Sequence, residues 1–122
     1  MSIAIPVKKL AEYCDPYLDT PWKTKVSKWD VARALFDNRL VDHPYSEDHA
    51  GRIAYLIKHP TTDAIEIDVG VPAVGCLVEW MIQDGNHRLA AAIYQGNETI
   101  LANVSGQLDY AMQLFGVDCT EN

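Results

Sequence analysis

The strongest periodic signal in the chain is Ala50, Ile53, Ala54 and Ile57. They recur at i, i+3, i+4 and i+7 and predict an amphipathic helix. Ser46 stands ahead of it as a cap, Glu47 and Asp48 in its first turn, and Lys58 and His59 in its last, the order a helix dipole favours. Pro60 ends it. Upstream, Ser27 predicts the cap of a helix running to about Asn38, with Trp29, Ala32, Leu35 and Phe36 along its apolar face. Downstream the period changes to two. Ile65, Ile67, Val69 and Val71 alternate with Glu66, Asp68 and Gly70, the pattern of a half-buried strand. Pro72 and Gly75 mark a turn. Residues 77–82, apolar on both faces, predict a central strand. A short alanine-rich helix over 89–94 ends at Gly96, which suits a left-handed cap. Residues 100–104 predict a strand, and 106–115 a last helix with Leu108, Ala111, Met112 and Phe115 on one face. At the start, 3–7 predicts an edge strand, and Asp15-Pro16 and Thr20-Pro21 predict turns. The sum is a mixed α/β (α+β) architecture, a small sheet with flanking helices.

Length and composition bound this picture. The 122 residues suit one domain over 1–122, and 48% hydrophobic with 22% charged residues is the balance of a folded soluble chain. Ten Lys plus Arg against seventeen Asp plus Glu give a net charge of −7. That argues against nonspecific nucleic-acid binding, which depends on cations neutralising phosphates. A local pocket in an acidic protein can still be positive. No run approaches the ~20 apolar residues of a membrane helix, and the N-terminal residues lack the order of a signal peptide. Cys14, Cys76 and Cys119 are odd in number and widely spaced, with no CxxC. This argues against a disulfide framework or a zinc site and places the protein in the reducing cytoplasm.

The stretch that carries chemistry is Asp84-Gly85-Asn86-His87-Arg88, between a strand and a helix. Free N–H groups at a helix start, with the dipole behind them, favour an anion. Gly85 permits a positive φ and close backbone approach. Arg88 can fork onto a phosphate, and His87 can donate to one or move a proton near neutral pH. Asp84 can orient His87, hold a metal ion or cap the helix.

Strand, Asp-Gly-X-His-Arg, Ala-rich helix ending in Gly, then strand: this succession resembles the ParB-like/sulfiredoxin superfamily. The resemblance extends back to the strand at 65–71. It implies a compact α/β fold whose motif turn binds phosphates, with a nucleotide of ATP or CTP type, with or without magnesium, as the ligand. Members include partition proteins that hydrolyse CTP, a sulfinic-acid reductase that uses ATP, free-serine kinases and nucleases. Asn86 stands where the reductase has its catalytic cysteine, so that chemistry lacks its nucleophile. The chain also lacks the length and basic charge of the partition proteins' helix-turn-helix and dimerisation segments.

A second cluster is His43, Asp48, His49 and Arg52. His49 and Arg52 share a helix face at i, i+3, and His43 can approach His49 across a turn. If this helix lies beside the motif, Arg52 reaches the ligand and Asp48 or Glu47 supplies an acid or base. Trp29 and Trp80 read as core or interface residues, and Trp22 as an exposed one that marks a partner surface. Two functions follow. The first is nucleotide or phosphate binding at Gly85, Asn86, His87, Arg88 and Arg52, extending to phosphoryl transfer or nucleotide hydrolysis through Asp84, His87 and Asp48. The second is a non-catalytic protein-binding role, of the kind a phage or mobile-element accessory protein plays. The charge balance disfavours a third, DNA cleavage.

Overall fold

The computed structural model describes residues 2–119, so Met1 and 120–122 of the expected domain lie outside the described residues. Four strands form a mixed sheet: β1 (Ile3–Pro6), β2 (Ile65–Asp68), β3 (Ile82–Asp84) and β4 (Thr99–Ser105). Their order is β1-β4-β2-β3. β4 runs antiparallel to β1 and parallel to β2, and β2 runs antiparallel to β3. The expected α/β class is therefore what the chain adopts.

The alternation at 65–68 works as the pattern predicts. Ile65 and Ile67 are buried, Ile65 beside Ala102 of β4, while Glu66 points outward and accepts a hydrogen bond from Asn103 Nδ2. Against the inner face lie α1 (Val7–Tyr13), α5 (Asn86–Gln95) and α6 (Leu108–Phe115), closing a core around Ile5, Leu10, Ile67, Leu89 and Phe115. α5 is shared between two cores. Its Leu89 faces the sheet, and its Ala90 and Ala91 face a second cluster built with α2 (Pro16–Asp19), α3 (Lys28–Phe36) and α4 (His49–Lys58). The small alanines let α4 approach α5 closely, and the Tyr17 hydroxyl donates to the Ala90 carbonyl to hold α2 there.

Four expectations need correction. The edge strand gives way to α1 at Val7, and Asp15-Pro16 opens α2 rather than a turn, while the turn at Thr20-Pro21 forms, with the Lys23 amide donating to the Thr20 carbonyl. Of the apolar face assigned to α3, Leu35 packs against the second core, but the ends of that face do not. Val31 and Ala34 are buried, and Trp29 and Phe36, about 160° and 140° round the helix from Val31, are 77% and 86% exposed. The central strand at 77–82 is absent. Val71 and Cys76 pair across the Pro72–Val74 turn, Leu77 is exposed, Trp80 and Met81 pack against the core with the Met81 carbonyl accepting from the Asp68 amide, and the strand itself is only Ile82–Asp84, at the edge of the sheet. Finally, Asp48 rather than Ser46 caps α4. The Ser46 hydroxyl accepts from the Asp48 amide and sets the turn that delivers the cap.

Candidate functional site

β2 and β3 carry the chain to Gly85, which turns it into α5. Gly85 has φ 111°, and a Cβ there would run into the Ile65 side chain. Only glycine fits, because the position combines a left-handed backbone with a closed space. As the first residue outside α5, Gly85 brings no side chain to cap the helix. The opening N–H groups of α5 are thus left to solvent or a ligand. They border a cleft of about 590 Å³ between α4, α5 and residues 59–64. Arg52, Tyr55, His59, Asp84, His87 and Arg88 line it, with Gly85 at its base.

Arg88 is committed to the fold. Its Nη1 donates to the carbonyls of Asp63 and Ala64 at 3.0 and 2.9 Å, and its Nη2 to Asp84 Oδ2 at 3.0 Å. It ties the start of α5 to the segment entering β2. Arg52 differs. Its Nη1 makes one long contact, 3.4 Å, to the Val41 carbonyl, and its buried Nε has no hydrogen-bond partner. A buried donor in that state costs about 1–3 kcal/mol until something accepts from it. Of the two arginines on the cleft, Arg52 is the one with hydrogen-bonding capacity to give.

No family model, curated protein or solved structure matches this chain.

His87 turns from the second position of α5 toward α4, where its Nε2 lies 3.0 Å from Nδ1 of His49. Trp22 lies over both rings, 5.0 Å from His49 and 4.7 Å from His87, within 15° of parallel to each. Burial pushes the His87 imidazole down to about 4, and the neighbouring His49 and Arg52 push the same way. His49 is also lowered, again by burial, against the opposing pull of Asp48 and Glu47. Both rings are therefore neutral near pH 7, and the hydrogen bond between them needs one facing nitrogen to carry a proton and the other to accept it.

The expected site residues divide. Gly85, His87, Arg88, Arg52 and Asp84 come together on the cleft. Asp84 is 73% exposed and pairs with Arg88, and the partner of the His87 ring is His49. Asn86 turns the other way, where its Oδ1 accepts from Trp80 Nε1 at 2.8 Å, in a separate hollow beside Tyr13 and Glu79. Asp48 lies behind the cleft. It caps Gly51 and grips Arg39 at 2.6 and 3.2 Å, and that guanidinium holds its carboxyl below the ordinary range. His43 is exposed and stacks on Tyr45 rather than meeting His49. Trp22, read as an exposed partner residue, is half-buried over the histidines. Tyr55 and His59 were not singled out in the sequence. Their positions three and seven beyond Arg52 are the signal that could have found them.

Among the described residues, no three His, Cys, Asp or Glu side chains are grouped so as to hold a metal ion. No helix among them is long and apolar enough to cross a membrane.

Proposed function

We propose that the protein binds a nucleotide or another phosphate-bearing ligand in the cleft between α4 and α5, as a cytoplasmic protein of the ParB-like/sulfiredoxin kind. The observation that carries this is Arg52, whose guanidinium borders the cleft with a buried, unpartnered Nε beside the uncapped start of α5. A phosphate would accept from the guanidinium and from the opening amides of α5, and would complement the helix dipole. Arg88 acts indirectly, by holding the turn. The three free cysteines fit a reducing compartment.

If the bound ligand reacts, the reaction is phosphoryl transfer or nucleotide hydrolysis, with His87 as the acid–base group. It borders the cleft, is neutral at pH 7 and is oriented by His49. Magnesium would enter with the nucleotide and offset charge on its phosphates. Asp84, exposed and with one oxygen uncommitted to Arg88, is one of the carboxylates on the cleft, with Asp42 and Asp63.

Thermal shifts with CTP, ATP, ADP and GTP, each with and without magnesium, test the reading. A ligand at ~100 times its Kd adds ~2.7 kcal/mol. One nucleotide should raise Tm in the wild type and fail to do so in Arg52→Ala. No shift with any nucleotide in a folded sample overturns the reading.

The second reading, a non-catalytic protein-binding role, has its own observation. Trp29 and Phe36 stand exposed on α3 and border an apolar hollow of about 340 Å³ with Ala32 and Arg33. Large exposed aromatics in a cluster are enriched at protein interfaces. Trp29→Lys with Phe36→Lys would abolish partner capture under this reading and leave nucleotide shifts intact under the first.

A further inference from the structure

The His49–His87 pair crosses the wall between two hollows. His87 borders the cleft, whose other titratable groups include Asp42, Arg52, His59, Asp63, Asp84 and Arg88. His49 borders a hollow on the far side, lined by Lys25, Asp30, Arg33, Arg39, Glu47 and Asp48. The ring planes differ by 18° and the centroids are 5.2 Å apart with the facing nitrogens at 3.0 Å. The rings therefore meet edge to edge, nearly in one plane, and Trp22 covers one face of both.

The proton count of such a pair is constrained. One hydrogen sits in the bridge, given by one ring and accepted by the other. Each neutral imidazole carries one N–H. So of the two outer nitrogens, His49 Nε2 and His87 Nδ1, one is protonated and one is bare. A proton added to the bare outer nitrogen leaves the bridge intact. The pair then holds one positive charge that either ring can carry by moving the bridging hydrogen. A second added proton would break the bridge.

We propose that an anion entering the cleft is bound together with one proton, which the His49–His87 pair takes up from solvent. This rests on the anion reading of the cleft given above. In the empty protein Arg52 opposes a charge on His87, while Glu47 and Asp48 favour one on His49. An anion on Arg52 offsets that opposition. The indole face of Trp22 stabilises the cation once formed. Linkage makes the effect reciprocal: the anion raises the pair's proton affinity, and the proton tightens the anion.

Sulfate is the probe, because it does not titrate near neutral pH and any proton taken up enters the protein. The imidazole nitrogens and the amides of Asn86, His87 and Arg88 are followed by NMR in a ¹⁵N-labelled sample, with sodium chloride holding ionic strength constant. The expected result is an upward move in the pair's titration midpoint with sulfate. Sulfate affinity should rise by up to about tenfold per pH unit as pH falls through that midpoint, the limit for one linked proton. His49→Gln should flatten that slope, and Trp22→Leu should lower the midpoint without sulfate. Each variant is checked for folding by its melt. Amides that respond to sulfate while the midpoint stays fixed overturn the proton uptake and leave the anion cleft standing. Sulfate that moves neither overturns both. An unchanged midpoint in Trp22→Leu overturns the part assigned to the indole.

Discussion

His49 Nδ1 lies 3.0 Å from His87 Nε2, joining the first turn of α4 to the first turn of α5. The contact spans 38 residues of sequence. It sets the orientation of the His87 imidazole on the cleft, and it forms where small residues, Ala50 and Ala54 on one helix and Ala90 and Ala91 on the other, let the two helices close.

The first prediction concerns acid. With His87 depressed from 6.5 to about 4, native and unfolded chains are equally neutral at this group above about pH 7. Between those two values the unfolded chain binds a proton that the native ring refuses, so stability falls as pH falls and levels off below the native value. The loss is on the order of 2 kcal/mol once the ring's partial exposure to solvent is allowed for. Denaturant melts from pH 7.5 to 4 should show it, and His87→Gln should flatten the curve over that window. A His87→Gln curve parallel to wild type would assign the acid sensitivity elsewhere.

Asp48 is predicted to be a stabilising residue rather than a reacting one. It caps α4 through the Gly51 amide and pairs with Arg39, both away from the cleft. Asp48→Ala should cost about 1–2 kcal/mol, the range for a lost N-cap. Because Arg39 holds its carboxyl low, Asp48 adds stability that is present above the ordinary carboxylate range and lost as pH falls through it. At a pH well above the titration of the His49–His87 pair, ligand affinity of the folded variant should match wild type. A catalytic or binding defect at unchanged stability would return Asp48 to the site.

The two arginines should separate cleanly. Arg88→Ala removes donors from the Asp63 and Ala64 carbonyls and should lower stability by about 1–3 kcal/mol. Arg52→Ala removes a guanidinium with one weak contact and an unmet Nε, so its stability should change less while phosphate-ligand binding is lost. Unfolding free energies of the two variants, set beside their nucleotide-induced Tm shifts, decide the matter. Equal loss of binding with equal stability in both would restore Arg88 as a direct ligand.

Local chemistry is what the sequence made legible. Ser27 caps α3 as expected, in a capping box completed by Asp30, the alternation expected over 65–71 forms β2 over its first four residues, and Gly96 takes the left-handed φ of 68° expected of a helix end. The Asp84–Arg88 turn is a strand-to-helix junction as its residues foretold. What was not legible depends on contacts distant in sequence. Trp29 and Phe36 fit helical spacing as well as Val31 and Ala34 do, and only the approach of α4 decides which side is buried. The 77–82 run has strand-forming residues, but only its end meets β2, where the Asp68 amide donates to the Met81 carbonyl and Ile82 pairs with Ile67. Arg88 reads as a phosphate fork until the carbonyls of Asp63 and Ala64, more than twenty residues earlier, are brought to it. Trp22 gives no sign of His49 or His87 because the segment carrying it has no regular period.

Gly85→Ala is the sharpest test of how the turn is built. The backbone there sits at φ 111°, outside what an L residue adopts without strain, and the added methyl would collide with Ile65 in the sheet core. Strain of that kind costs about 1–3 kcal/mol, and overpacking a core adds a similar amount. Together they should destabilise the protein by roughly 2–5 kcal/mol, against typical small-domain stabilities of about 5–15 kcal/mol. Ile65→Ala alone should cost about 2–5 kcal/mol. Combined with Gly85→Ala it should relieve only the contact with Ile65 Cγ2, because residue 65 keeps its Cβ and the backbone angle at 85 is unchanged. A double-mutant cycle on urea melts measures both parts. Full recovery in the double variant would mean that the collision alone, and not the backbone conformation, reserves this position for glycine.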